Sequence, residues 1–312
     1  MTSNPTLPQY VPTQGFKYTA APNPGWTYGQ SIDATPEGRA WADGEKEGWT
    51  VVDGSTEDPR TMFNYMVSGI VPRPVAFVSS ISVDGVENLA PYSVTAHENL
   101  LFTAAGSTKR VTPNPPVVSF SCASSSGAAK DTLRNVLAGT GFTINIISEP
   151  WIHQADAASI DAPFEVDEWP ITGLTKAPSI HVKAARVKES AFSMECELYQ
   201  TLGIKHPKTG ITTATLVVAL VKYIHIRNDV VDASLGVIDP GKLRPVAAAA
   251  KIPGMGLTYA RMSEGYVLPQ RSWKKVGGEI GERVGGMIGG ERKVGVNDCV
   301  GVSKHDNSTR AY

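Results

Sequence analysis

The pattern of apolar and polar positions changes near Met62. Upstream, residues 1 to about 58 are rich in Pro, Gly and Asp and show no sustained period of 2 or 3.6. Three isolated tryptophans (Trp26, Trp41, Trp49) predict an arm that packs on the body or on a partner subunit, because free tails seldom carry such rings. Downstream the period is that of β-structure. Pro74 to Val83 reads as a strand, with Val75, Phe77, Ser79 and Ile81 alternating with Ala76, Val78 and Ser80. Asp84-Gly85 supplies the turn that follows. Pro116 to Cys122 is a second β run. Phe142 to Ile147 is a third, with Phe142, Ile144 and Ile146 on one face. Between them Asp131 or Thr132 caps a short helix whose apolar face is Leu133, Val136 and Leu137, and Gly139 and Gly141 end it. A helical stretch near Trp151 to Ile160 leads into a loop through Trp169 and Pro170.

The C-terminal half is more strongly β. Val182 to Phe192, Met194 to Leu202 and Ala214 to Arg227 are apolar and β-branched, and His206-Pro207-Lys208-Thr209-Gly210 joins the last two as a hairpin loop. Many strands with few helices between them point to an antiparallel barrel or sandwich, not a doubly wound parallel sheet. From Lys274 onward Gly277-Gly278, Gly285-Gly286 and Gly289-Gly290 predict a flexible tail. The expected organisation is an arm over 1–58, one domain over 59–272 and a Gly-rich tail over 273–312.

Composition narrows the function classes. With 41% hydrophobic residues over 312, the chain can bury a substantial core. A formal net charge of −1 offers no basic field for nucleic acid or an anionic membrane. No run of about 18 apolar residues predicts a membrane span, and the polar, Pro-rich Met1 to Gln14 has no secretory-signal pattern. Cys122, Cys196 and Cys299 are odd in number and widely spaced, which suits a reducing compartment, and the expected location is the cytoplasm. No phosphate-binding G-x-x-x-x-G-K-[ST], nucleophile-elbow G-x-S-x-G or metal-binding H-E-x-x-H occurs, and the six histidines are scattered, so no catalytic metal is expected. Gly254-Met255-Gly256 lacks the third glycine of a dinucleotide fingerprint.

Polar groups instead gather at strand ends. Ser79 and Ser80 close an apolar strand, and Asn88, Tyr92 and Ser93 lie on a segment held by Pro91. Such a segment suits recognition of a polar heterocycle or sugar chain, and equally a turn cap beside a solvated serine. Lys130-Asp131-Thr132 brings a cation, a hydroxyl and helix N–H groups together, which makes either an anion site or an ordinary cap.

The combination is more specific than its parts. Gly69–Ser93, Pro115-Pro116-Val117-Val118, Lys130-Asp131-Thr132-Leu133-Arg134-Asn135 and Gly141-Phe142-Thr143-Ile144-Asn145 follow one another in the order seen in the flavin reductase-like family. Pro178-Ser179, Glu189-Ser190, Met194-Glu195-Cys196-Glu197-Leu198 and Tyr259-Ala260-Arg261 continue the match. Over about residues 62 to 272 the chain resembles these FMN-binding split-barrel flavoproteins.

The resemblance implies a mainly β fold. It is a six-stranded antiparallel split barrel with a few short flanking helices, forming a homodimer with FMN near the subunit interface. It places Ser79 and Ser80 along the flavin ring. Asn88, Ala90, Tyr92 and Ser93 fall on the ribityl chain, ring or phosphate, and Ser121 nearby. Lys130 and Thr132 hold the phosphate, and Tyr259 and Arg261 close the site from the C-terminal side. It implies an oxidoreductase that takes hydride from NAD(P)H and passes electrons to flavin, oxygen or an organic acceptor, and it supplies no catalytic side chain. A flavin-binding or interaction module without turnover is the alternative from another class. A weaker third reading, an oxidase of a phosphorylated amine, would draw on Arg110, Arg134 and Arg186. The sequence departs from the family over Val94 to Asn114, which is longer than usual and reads as an inserted loop or a retained intron. His97 and Lys109 within it receive no catalytic role.

Overall fold

The computed structural model describes residues 7–12, 15–92, 109–124, 129–160, 162–252 and 256–288. Seven strands form one antiparallel sheet: β1 (Ala76–Ile81), β2 (Glu87–Tyr92), β3 (Lys109–Pro113), β4 (Pro116–Ala123), β5 (Phe142–Ile146), β6 (Phe192–Lys205) and β7 (Thr212–Ile226). Their order across the sheet is β2-β1-β5-β6-β7-β4-β3. Five of these were expected as strands; β2 falls where the sequence had suggested an irregular segment held by Pro91. The seventh, β3, comes from the end of the unusual Val94–Asn114 stretch and pairs with β4 through Arg110↔Val118 and Pro113↔Pro116. The sheet curls on itself. Tyr92 of β2 lies 5.2 Å, ring to ring, from Phe120 of β4, although four strands separate these two in the hydrogen-bonded order.

Both faces of the sheet are covered, which explains why β1 alternates without exposing either set. Ala76 and Val78 face one core with Phe120, Cys122, Phe142, Ile144, Cys196 and Val217. Phe77 and Leu89 face a second core with Trp151, Trp169, Val187 and Val246. Asp84-Gly85 turns as expected: Ser82 N–H donates to the Val86 carbonyl at 2.8 Å, and Gly85 adopts φ +89°. Three helices flank the sheet: α1 (Asp131–Leu137), α2 (Ile152–Ala157) and α3 (Glu168–Thr172). In α1, Leu133 and Val136 are buried, whereas Leu137 is exposed, because it lies a further turn of about 100° round the helix from Val136 and so off the buried Thr132–Leu133–Asn135–Val136 face.

The stretch 182–192 differs from expectation. Before Phe192, which opens β6, only Arg186–Val187 is strand there. Side chains take backbone N–H groups there: the buried Glu195 carboxylate accepts from Val182, as from Ile180 and His181 just before it, and Asn145 Oδ1 accepts from Val187, so these are unavailable to a ladder.

Two compact units divide the chain, residues 1–19 with 51–265 and residues 20–50 with 266–312. In the first, the described part of the arm packs on the body: Arg261 donates to the Val11 carbonyl at 2.6 Å, and Lys17 N–H to that of Ser263 at 2.9 Å. In the second, Pro36–Asp43 is a helix capped by Thr35, whose hydroxyl accepts Gly38 N–H at 3.0 Å. Arg271 sits 4.9 Å from both the Trp26 and Tyr28 rings, whereas Trp41 and Trp49 are exposed. Trp273–Ile288 is helical where its glycines had suggested a flexible tail. Trp273, Val276 and Ile280 recur there at helical spacing.

Candidate functional site

Strand β2 and the start of α1 meet at a cleft of about 220 Å³. Local chemistry brings them together. Thr132 at the start of α1 donates its hydroxyl proton to Asn88 Oδ1 at 2.6 Å, across 44 residues of sequence. Asn88 is held from the other side by α3, where its Nδ2 and the Leu89 N–H both donate to Glu168 Oε2, at 3.1 and 3.0 Å. Ser80 donates to Asn88 Oδ1 at 3.4 Å and accepts from Asn135 Nδ2 at 3.0 Å. Asn88, Thr132, Asn135, Ser80 and Glu168 are all buried, so this network is shielded from competing water.

The electrostatics are mixed. Lys130 is the one cation among the described residues lining the cleft, and it forms no ion pair with a described residue. Asp131 lies 3.8 Å from Arg134, whose guanidinium is 3.8 Å from the centre of the cleft-lining Phe164 ring. Burial pushes the Glu168 carboxyl above its ordinary value against the Leu89 and Asn88 hydrogen bonds, and Asp131 adds to the rise. Burial also raises the Tyr92 hydroxyl, and pushes the Cys122 thiol up to about 12.

Of the residues singled out in the sequence, Asn88, Ala90, Tyr92, Lys130 and Thr132 line this cleft together. Ser93 lies outside the described residues. Ser79 and Ser80 are buried and do not line it; the Ser80 hydroxyl is used within the Asn88–Asn135 network. Ser121 pairs with Leu216 in the sheet and is also outside the cleft. Tyr259 and Arg261 are engaged elsewhere. Tyr259 donates to Asp156 Oδ1 at 2.9 Å, and Arg261 reaches Glu149 at 3.3 Å as well as Val11. Glu168 was not found from the sequence. Its signal there was slight, a carboxylate pair beside an apolar ring in Asp167-Glu168-Trp169, and only the fold shows that the second carboxylate points at β2.

The side chains fit a phosphorylated, ring-bearing ligand: a cation for an anionic end, acceptors for hydroxyl groups, and apolar surface from Ala90, Pro91, Ile160 and Phe164. The volume is below the roughly 300–1,000 Å³ of whole small-molecule sites, so the cleft takes a part of such a ligand.

A curled antiparallel barrel with a polar cleft at the end of one edge strand defines the split-barrel class of flavin proteins. The chain belongs to the flavin reductase like domain family, whose pattern matches residues 67–247. It is 32% identical over 190 residues to an uncharacterized protein of Aquifex aeolicus, covering 61% of this chain and 86% of that one. It is 29% identical over 204 residues to the uncharacterized protein YwrF of Bacillus subtilis, covering 65% and 90%. Among solved structures, nitrilotriacetate monooxygenase component B from Bacillus cereus superposes with a TM-score of 0.62 at 25% identity, over 71% of this chain and 99% of that one. A flavin reductase with a split barrel domain from Shewanella frigidimarina gives 0.56 at 18% identity, over 72% and 100%, a likeness of fold. The protein is thus a flavin-binding oxidoreductase in the general sense of its family.

Proposed function

We propose that the protein binds FMN with its phosphate end in the Asn88–Lys130 cleft. In this reading it is an NAD(P)H-dependent oxidoreductase that passes electrons to a second flavin, oxygen or an organic acceptor. The observation that carries this reading is the meeting of β2 with the Lys130–Thr132 turn, locked at 2.6 Å by Thr132 and Asn88. Family membership and the likeness to a monooxygenase component support an oxidoreductase. When bound, the flavin supplies the redox chemistry. The chain's own residues bind and orient. Lys130 pairs with the phosphate, the Asn88 network holds the α1 start in place, and Ala90, Pro91 and Phe164 keep water from one side.

The same reading takes a second copy of this chain as partner, which would complete a cleft too small for the whole cofactor. The free, buried thiols of Cys122 and Cys196 suit the cytoplasm. The test is the absorption spectrum of the purified protein with FMN, followed by anaerobic NADH or NADPH. Flavin bands that bleach with either nucleotide are expected. Bands that persist with both would favour the flavin-binding module without turnover. Replacing Lys130 and Thr132 together by Ala is expected to weaken FMN binding about 100-fold, through loss of a charge-assisted contact and of the network bond. Unchanged flavin retention would remove the assignment.

A further inference from the structure

The second unit carries polar chemistry of its own. A cleft of about 270 Å³ lies within it, and Trp26, Tyr28, Gln270, Arg271, Lys275 and Glu279 are among the residues that line it. Local bonds set its aromatic wall in advance. Trp26 N–H donates to the Asn23 carbonyl at 3.2 Å, and Gln30 N–H to that of Thr27 at 3.1 Å. Gln30 Oε1 ties these two turns together, accepting Thr27 N–H at 3.3 Å and Asn23 Nδ2 at 3.5 Å. Trp26 and Tyr28 therefore stand as a corner, with ring centres 5.2 Å apart and 67° between their planes. The Arg271 guanidinium lies 4.9 Å from both ring centres. Contact with the rings uses its face and leaves its N–H edge unspent. Among the described residues, Arg271 has no ion pair or side-chain hydrogen bond, and neither has Lys275 in the first turn of the Trp273–Ile288 helix. Glu279 lines the same cleft but is itself engaged.

Two cations that share a small cleft repel each other until an anion joins them. A guanidinium fork takes a phosphate or carboxylate group by two parallel hydrogen bonds. A flat ring that bears such a group stacks on an aromatic side chain or on a guanidinium plane. Gln270 and Glu279 add an amide and a carboxylate, which suit the amino-bearing edge of adenine: an amide pairs with an acceptor and an amino group side by side, and a carboxylate accepts from an amino group. We propose that the second unit holds an adenylate site, in which Trp26 and Arg271 stack the purine while Arg271 and Lys275 take the phosphate. The site lies outside residues 67–247, so it stands independently of the flavin reading. Two sources carry the group: free adenine nucleotides, and the nicotinamide dinucleotides of that reading. The cleft is below the roughly 300–1,000 Å³ of whole small-molecule sites, so it takes the mononucleotide part of either.

The experiment measures dissociation constants on the full chain by titration calorimetry. AMP is expected to bind about tenfold tighter than adenosine, which lacks the phosphate, and than nicotinamide mononucleotide, which lacks the purine. Trp26→Leu should weaken AMP and adenosine alike, about tenfold. Lys275 is exposed, so Lys275→Glu leaves packing in place; it should weaken AMP about tenfold and leave adenosine unchanged. NADH weakened in the same two variants makes the dinucleotide the ligand, and NADH unchanged while AMP weakens makes it a free nucleotide. Three results overturn the proposal: no binding of AMP, nicotinamide mononucleotide bound as tightly as AMP, or an AMP affinity that falls in Lys130→Ala and not in Lys275→Glu, which puts the nucleotide in the Asn88–Lys130 cleft instead.

Discussion

At the scale of single residues, two buried glutamates are held in opposite ways. Glu195 is wholly buried on β6. Burial pushes its carboxyl up, but the Ile180, His181 and Val182 N–H groups and His225 Nε2, at 2.6 Å, more than offset this and bring it down to about 2. A carboxyl lowered in the folded state stabilises above its unfolded value, ordinarily 4.5, and that contribution is lost as pH falls toward 2. Glu168 is raised in the folded state, so its contribution is present below 4.5 and is lost as pH rises through the folded value. Two outcomes follow. Glu195→Ala strands three backbone donors and a histidine, and should cost about 3–5 kcal/mol in chemical denaturation at neutral pH. In thermal melts, Glu168→Gln should gain on the unaltered protein as pH is raised from about 4 to 7, because it has no charge to bury. A constant gap between the two proteins across that range would show that Glu168 does not titrate there.

At the scale of elements, the join between α1 and β5 is tight. Gly141 has φ +74°, and a Cβ there would lie 2.5 Å from Val182 Cγ1. Gly141→Ala is therefore strained in both backbone and packing, and should destabilise by about 2 kcal/mol or more by denaturant midpoint. Gly139 also has positive φ, but an added Cβ there meets nothing within 4 Å, so Gly139→Ala should carry the backbone cost alone, about 1–2 kcal/mol. The sequence signalled both glycines as the end of α1, and a helix stop is legible from glycine identity. The close approach of Val182 is not, since 40 residues lie between them. The same limit explains the stretch 182–192. Its β-branched residues look like a strand, and only the fold brings the Glu195 and Asn145 side chains to the Val182 and Val187 amides.

At the scale of the whole molecule, β6 outruns β5 along one edge, while β7 stays paired with β4 as far as Ala214↔Ala123. Strand β5 pairs only with Ser193–Cys196 of β6, whereas β6 continues to Lys205 with β7 as its partner. Along this stretch of β6 beyond β5, Tyr199, Leu202 and Ile204 are exposed, an apolar surface. If a second copy covers it, Leu202→Glu with Ile204→Lys should move the protein from dimer to monomer mass in light scattering while its circular dichroism stays the same. A monomer before substitution would end the homodimer reading.

The sequence alone determined the fold class, because period-2 alternation, the Asp84-Gly85 and His206–Gly210 turns and the Leu133–Val136 helix face are local consequences of side-chain chemistry. It also marked both halves of the cleft, Asn88–Tyr92 and Lys130–Thr132, since each is a contiguous segment with recognisable groups. Tertiary structure decided what lay between them. Glu168 joins β2 from a distant helix, Ser80 turns into the network, and Tyr259 and Arg261 take Asp156 and Glu149 as partners. These outcomes depend on which donors and acceptors meet across tens of residues. A buried polar atom takes whichever partner the fold places within about 3 Å, and no local pattern states that choice.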